Sequence, residues 1–166
     1  MLAKLNPKYQ TPLTRLPFVN GQIAQIKIHD AVWLVSATWG GESGGRLYFW
    51  NPQTHQHFMR EMPQGVPGAF FLQTGIDNRL YIGDGHGDLH RYDPKEDGIH
   101  TLVKGVMHNI TWGGCVTDRY VVWSATNEAA VYDWRNEKFI KKFSPVDQEK
   151  PHAQYGHNVI EAPDGK

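Results

Sequence analysis

One grammar recurs four times along this chain. The segments LAKLNPKYQTPLTRLP from Leu2, GRLYFWNPQTHQHFMREMP from Gly45, GDLHRYDPKEDGIHTLVKG from Gly87 and AAVYDWRNEKFIKKFSP from Ala129 each read as an alternating strand, a turn and a second strand. Asn6-Pro7, Asn51-Pro52, Asp93-Pro94 and the degenerate Trp134-Arg135 mark the turns. Between the hairpins lie two further kinds of segment. The first reads GQIAQIKIHD, GAFFLQTGID, HNITWGGCVTD and HNVIEAPD, with turn aspartates at Asp30, Asp77, Asp118 and Asp164 that stand 47, 41 and 46 residues apart. The second reads VWLVSAT, RLYIGDG and YVVWSAT, short β-branched and aromatic runs closed by small residues.

Four short strands in a unit of roughly 45 residues are the pattern of β-propeller blades, and the chain holds about 3.7 such units. The expected fold is therefore all-β: a partial propeller of four-stranded antiparallel blades, one domain over residues 1–166, with repeat hairpins starting near 2, 45, 87 and 129. Apolar residues on both strand faces agree with this. Trp33, Val35 and Ala37 alternate with Val32 and Leu34, as expected of sheets covered on each side by a neighbour. A β-sandwich of short strands is the alternative, but it requires no such period. No sustained 3.6-residue spacing argues for a helix. The chain begins inside a third strand and stops at Asp164-Gly165-Lys166, where a second strand should follow. A fragment of a larger propeller is expected, with exposed end blades that favour self-association.

Composition removes several classes of function. The 166 residues carry 17 Lys plus Arg against 17 Asp plus Glu, so no global field argues for nucleic acid or membrane as partner. The single Cys115 makes neither an internal disulfide nor a Cys-rich zinc site. No apolar run in the visible chain has the form of a secretion signal or a membrane span, and localisation stays open.

Chemistry is expected at the end of the blades where strand two passes to strand three and where each new blade begins. The phase of the repeat puts His86, in IGDGHGDLHRYDP, on a two-to-three loop. It puts His108 and His157 at the start of innermost strands, with Tyr155 just ahead of the latter. The pairs His108-Asn109 and His157-Asn158 are the closest match between repeats, and packing alone does not call for a polar pair near an axis. They either satisfy buried backbone carbonyls or face one ligand, where histidine and tyrosine could move protons. Glu42, Asp84, Asp88 and Glu128 fall on the same end. They read as a solvated rim built for turn reasons; with the histidines they could otherwise hold a structural Ca or Zn ion. His55 and His57 alternate on an outer strand and read as solvated. No arginine is expected on this end, since Arg60, Arg91 and Arg135 fall on strands or opposite turns. No phosphate loop, nucleophile elbow or HExxH motif is present, and no resident cofactor is expected.

GGRLYFWNPQT and GDLHRYDPKED resemble the hairpins of quinoprotein, gluconolactonase and polysaccharide-lyase propellers, over essentially the whole chain. Among these the chain is most similar to propeller lyases acting on uronate-containing polysaccharides, such as ulvan lyases. That resemblance implies β-elimination, with His86 and His108 neutralising a carboxylate or serving as base, Tyr155 as acid or base, and His157 as the substitute if the register differs. It implies a polysaccharide or small polar ligand as partner, met by Trp39, Glu42, Asn109 and Asn158. Two other readings stand beside it. One is a calcium-dependent lactonase-like propeller; the other is a non-catalytic scaffold in which Trp39, Trp112 and Trp123 are core aromatics.

Overall fold

The computed structural model describes residues 19–40, 44–108 and 110–144. Among the described residues there are twelve strands and no helix: β1 (Val19–Ile28), β2 (Ala31–Thr38), β3 (Arg46–Trp50), β4 (His57–Glu61), β5 (Ala69–Thr74), β6 (Leu80–Asp84), β7 (Leu89–Asp93), β8 (Gly98–Val103), β9 (Thr111–Val116), β10 (Tyr120–Ala125), β11 (Glu128–Asp133) and β12 (Lys138–Phe143). They form three antiparallel meanders, β1-β2-β3-β4, β5-β6-β7-β8 and β9-β10-β11-β12. The repeat read from sequence is the repeat of sheets. Its first hairpin, from Leu2, and its last inner segment, HNVIEAPD, lie outside the described residues.

Burial tells how the sheets are stacked. Every residue of β6 and β7 is buried, whereas β3 and β9 alternate between buried and half-buried positions. Among the described residues, the middle sheet is thus covered on both faces and each flanking sheet on one. Val35, Ala37, Leu47 and Phe49 of the first sheet meet Leu80, Ile82 and Tyr92 of the second. Tyr81 and Leu89 on the middle sheet's other face meet Val121, Trp123 and Tyr132 of the third. Phe49 stacks on Phe58 with ring centroids 4.4 Å apart and tilts against Tyr92 at 4.9 Å. Each such fully buried large side chain contributes about 1.5–3 kcal/mol. On the first sheet's other face Leu34, Tyr48, Trp50 and Met59 remain half-buried.

The first strands lie side by side, β1 next to β5 and β5 next to β9. This is a partial-propeller arrangement, in which the inner strands of successive blades gather near one line. Side-chain amides tie them together. The Leu72 N–H donates to Gln22 Oε1 at 2.8 Å, and the Val116 N–H donates to Gln73 Oε1 at 3.0 Å. Asn78 accepts from the Lys27 N–H at 2.9 Å and donates to the Lys27 carbonyl at 2.8 Å. Further out, an arginine on one blade meets an acid in the three-to-four turn of the next: Arg60 with Asp97 and Arg91 with Glu137.

Those three-to-four turns share one construction. Asn51, Asp93 and Asp133 are buried, and the Oδ1 of each accepts backbone N–H groups two or three residues ahead. Four residues after each cap the backbone is left-handed, at His55 (φ 58), Asp97 (φ 52) and Glu137 (φ 51). In two blades the second carboxylate oxygen takes an arginine from the one-to-two turn, Arg79 on Asp93 at 2.7 Å and Arg119 on Asp133 at 2.9 Å. The Asn/Asp-Pro signal is therefore a side-chain cap on a turn. His55 belongs to this turn and only His57 to β4, which corrects the expectation that both lie on one strand.

Candidate functional site

The loops β2–β3, β6–β7 and β10–β11 open at the same end as the β4–β5 and β8–β9 connections, and this end carries the candidate residues. His86 is exposed at the tip of the β6–β7 turn. Four hydrogen bonds brace that turn. Asp84 Oδ1 accepts the N–H groups of His86 and Asp88, both at 2.8 Å; Trp123 Nε1 donates to the Gly87 carbonyl at 3.0 Å; and Asp88 accepts the Gly105 N–H at 2.7 Å. Asp84 and Asp88 are consequently buried, and the solvated rim expected of them is corrected: they face inward because the turn's own amides need acceptors. The other Asp84 oxygen lies 3.1 Å from His90 Nε2, and His90 Nδ1 lies 3.0 Å from Thr101 Oγ1. His90 is 1% exposed. It is buried where His86 is exposed, and it braces β6, β7 and β8.

His108 lies on the β8–β9 connection with its side chain 73% exposed. Glu128, at the start of β11, accepts from the His108 N–H at 2.9 Å and lies 3.0 Å from its Nδ1. The Lys142 ammonium lies 3.5 Å from the same ring nitrogen, so Nδ1 faces both an acceptor and a donor. The Lys142 ammonium, near the end of β12, donates to the same carboxylate at 2.9 Å. Burial alone would push the Glu128 carboxyl up, but Lys142 and the two His108 donors outweigh it and hold the group down at about 2. Glu128 is thus an anion with three donors. Lys142 was not visible from sequence, because strand alternation does not tell which of Lys141 and Lys142 turns toward the loop.

Aromatic rings run along the same end. Trp39, just past β2, lies with its ring centroid 5.2 Å from that of Phe70, and Phe70 lies 5.8 Å from Trp112. All three are half-buried. Phe70 and Trp112 occupy corresponding irregularities of β5 and β9. Ala69 pairs with Asp84 and Phe71 with Gly83, which leaves Phe70 out of the ladder; Thr111 pairs with Ala125 and Gly113 with Ser124, which leaves Trp112 out. A bulge re-aims the side chain it carries. Trp112 Nε1 donates to Thr126 Oγ1 at 3.1 Å, and the Trp39 ring sits against the backbone of Gly68 and Gly85, where any added Cβ would collide with it. Trp123, by contrast, is fully buried.

Glu42, Asn109, Tyr155, His157 and Asn158 lie outside the described residues. Among the described residues no three His, Cys, Asp or Glu side chains are grouped to hold a metal ion. Arg46 does open β3 at this end, contrary to expectation, but it turns toward Glu61 at 3.6 Å on the outer strand. Arg60, Arg91 and Arg135 are each paired with an acid away from the loops. At the opposite end a cavity of about 330 Å³ opens between the first two sheets beside Lys27, Val32 and Ile76. No helix among the described residues is long and apolar enough to cross a membrane.

Fold and loops together define an all-β protein of stacked four-stranded repeats in a partial-propeller arrangement. Comparison narrows this no further: no protein-family profile matches the chain, and no curated protein matches it.

Proposed function

We propose that this chain is part of a carbohydrate-active propeller that handles a uronate-containing glycan at the loop end bearing His86 and His108, by β-elimination. The observation that carries the reading is His108: an exposed imidazole with Nδ1 3.0 Å from the Glu128 carboxylate, a pairing that can orient the ring as a base. Lys142 beside it supplies a cation of the kind a uronate carboxylate needs as charge builds on it. In the reaction the base takes the proton beside the carboxylate. The electrons of that C–H bond form the new ring double bond, and the glycosidic oxygen on the neighbouring carbon leaves with the electrons of its own bond. His86, Tyr155 and His157 are the other candidates to exchange protons with the leaving group.

The test is incubation of the folded chain with a panel of uronate polysaccharides while following the ultraviolet absorbance of the unsaturated sugar. His108→Ala is expected to lower the rate by roughly 10²-fold or more. A folded protein that gives no unsaturated product on any of them refutes the catalytic reading. The non-catalytic alternative is then favoured by Trp39, Phe70 and Trp112, whose partial exposure serves binding without chemistry.

A further inference from the structure

We propose that the outer face of the first sheet is a docking surface for this chain's own residues 2–17, which cover it as each sheet covers the next. Such a contact stands whether or not the loop end handles a glycan.

The first two sheets share one register when counted from the turn caps Asn51 and Asp93. Trp50 pairs with Leu34 as Tyr92 pairs with Leu80. Tyr48, Ser36 and Ile23 lie in one row as His90, Ile82 and Leu72 do. On the second sheet Leu72, Leu80, Ile82 and Tyr92 are buried against the first sheet, Leu72 being 6% exposed. At the same positions of the first sheet Leu34, Tyr48 and Trp50 are half-buried and Ile23 is 66% exposed. Large apolar side chains gathered on one sheet face mark a contact surface rather than a solvated one.

Sequence and register select the occupant. Residues 2–17, which lie outside the described residues, read LAKLNPKYQTPLTRLP and place Asn6-Pro7 where the later hairpins have Asn51-Pro52 and Asp93-Pro94. The chain then enters β1 at Val19, which pairs with Thr38 at the loop end, the end from which the β4–β5 and β8–β9 connections enter β5 and β9. Between successive sheets, the side chain two residues before one cap meets the aromatic ring one residue before the next. Phe49 tilts against Tyr92 at 4.9 Å, and Arg91 stands close enough to Tyr132 to oppose the rise that burial gives its hydroxyl. In residues 2–17 the position two before the cap is Lys4, and the aromatic one before the next cap is Trp50. A cation over an indole is a favourable pairing. The third sheet of a second copy would bring only Val131 to that place, with neither the charge nor the reach to cover the ring.

The experiment uses the full 166-residue chain. Trypsin cleavage after Lys4, Lys8 and Arg15 is timed against cleavage of a free peptide of residues 1–18. In the parent protein these bonds are expected to be cut roughly tenfold or more slowly than in the peptide. Trp50→Asp is expected to restore most of the peptide's rate, and Trp50→Phe to keep the protection. In a Cys115→Ser background, Lys4→Cys and Trp50→Cys are treated with a short bis-maleimide and the mass of the product is read. Crosslinking within one chain together with slow cleavage supports the docking. Crosslinking only between chains gives the face to a second copy and overturns it. Cleavage of the folded parent at the peptide's rate also overturns it, a readout that needs no variant to fold. Equal protection in the parent and in a folded Trp50→Asp protein places the segment elsewhere and has the same force.

Discussion

Replacing Asp93 by alanine tests whether the three-to-four turns hold the blades as described. The Asp93 side chain is 3% exposed. Its Oδ1 accepts the Lys95 N–H at 2.9 Å and its Oδ2 the Arg79 Nε–H at 2.7 Å. Hydrogen bonds to a charged group contribute about 1.5–3 kcal/mol each, but Lys95 is exposed and Arg79 is one-third exposed, so water recovers part of what both donors lose. The expected cost is about 2–4 kcal/mol, which for a domain of this size lowers the melting midpoint by roughly 5–15 °C. Asp93→Asn keeps an acceptor for Lys95 and gives up the charge opposite Arg79, so it is expected to lose about half as much. The pH dependence supplies a second check. Burial alone would raise the Asp93 carboxyl, but the Lys95 amide and the Arg79 guanidinium more than offset it and hold the group below the usual carboxylate range. A carboxyl depressed in the folded state stabilises above its unfolded value, near about 4, and that contribution disappears as pH falls through the folded value. The gap between the parent protein and Asp93→Asn, read by urea unfolding followed by circular dichroism, should therefore narrow on acidification below about pH 4. An Asp93→Ala protein within about 0.5 kcal/mol of the parent, or a gap that stays constant down to low pH, would refute the reasoning.

Two further outcomes follow from close contacts and charge. A methyl group added at Gly83 would stand 2.4 Å from the Thr111 Cγ2 across the contact between the second and third sheets. Gly83→Ala is therefore expected to cost about 1–3 kcal/mol by overpacking, and Thr111→Ala in the same protein to restore most of it, because the Thr111 hydroxyl has no hydrogen-bond partner among the described residues; additive costs in a double-mutant cycle would contradict this. Glu128, held down at about 2, stabilises above its unfolded value near about 4 and ceases to do so as pH falls through about 2, so Glu128→Gln should flatten the acid limb of the stability curve in that window; parallel curves for the two proteins would count against the His108–Glu128–Lys142 cluster.

Much of the fold was legible because the residues that make turns are local. Asn51, Asp93 and Asp133 cap turns within a few residues of themselves, so their spacing along the chain is the spacing of the blades. Strand order followed from the same signals: the expected inner segment GQIAQIKIHD contains most of β1, and YVVWSAT contains β10. The candidate site was less legible, because each of its features depends on a partner distant in sequence. Phe70 and Trp112 were ordinary strand aromatics until the ladder showed one residue too many on β5 and β9, a fact the pairing holds and the alternation does not. The Phe70-Phe71 doublet, which breaks period two, was the available sign. Asp84 and Asp88 looked like loop acids, and only the amides folded back on them and the His90 ring make them interior groups. Lys142 meets Glu128 from 14 positions away on a strand paired with a bulge between Val131 and Tyr132, so its direction could not be counted from the turn.

The amide side chains between the inner strands bear on how such a molecule survives in a crowded solution. Among the described residues the inner strand of each sheet has a hydrogen-bonded strand neighbour on one side only, which ordinarily leaves a free edge able to recruit a stranger's backbone and seed fibrils. Here Asn78 occupies both polar groups of Lys27 on β1, Gln22 covers Leu72 on β5, and Gln73 covers Val116 on β9. Glutamine and asparagine, often blamed for templated aggregation, act at these positions as stoppers against it.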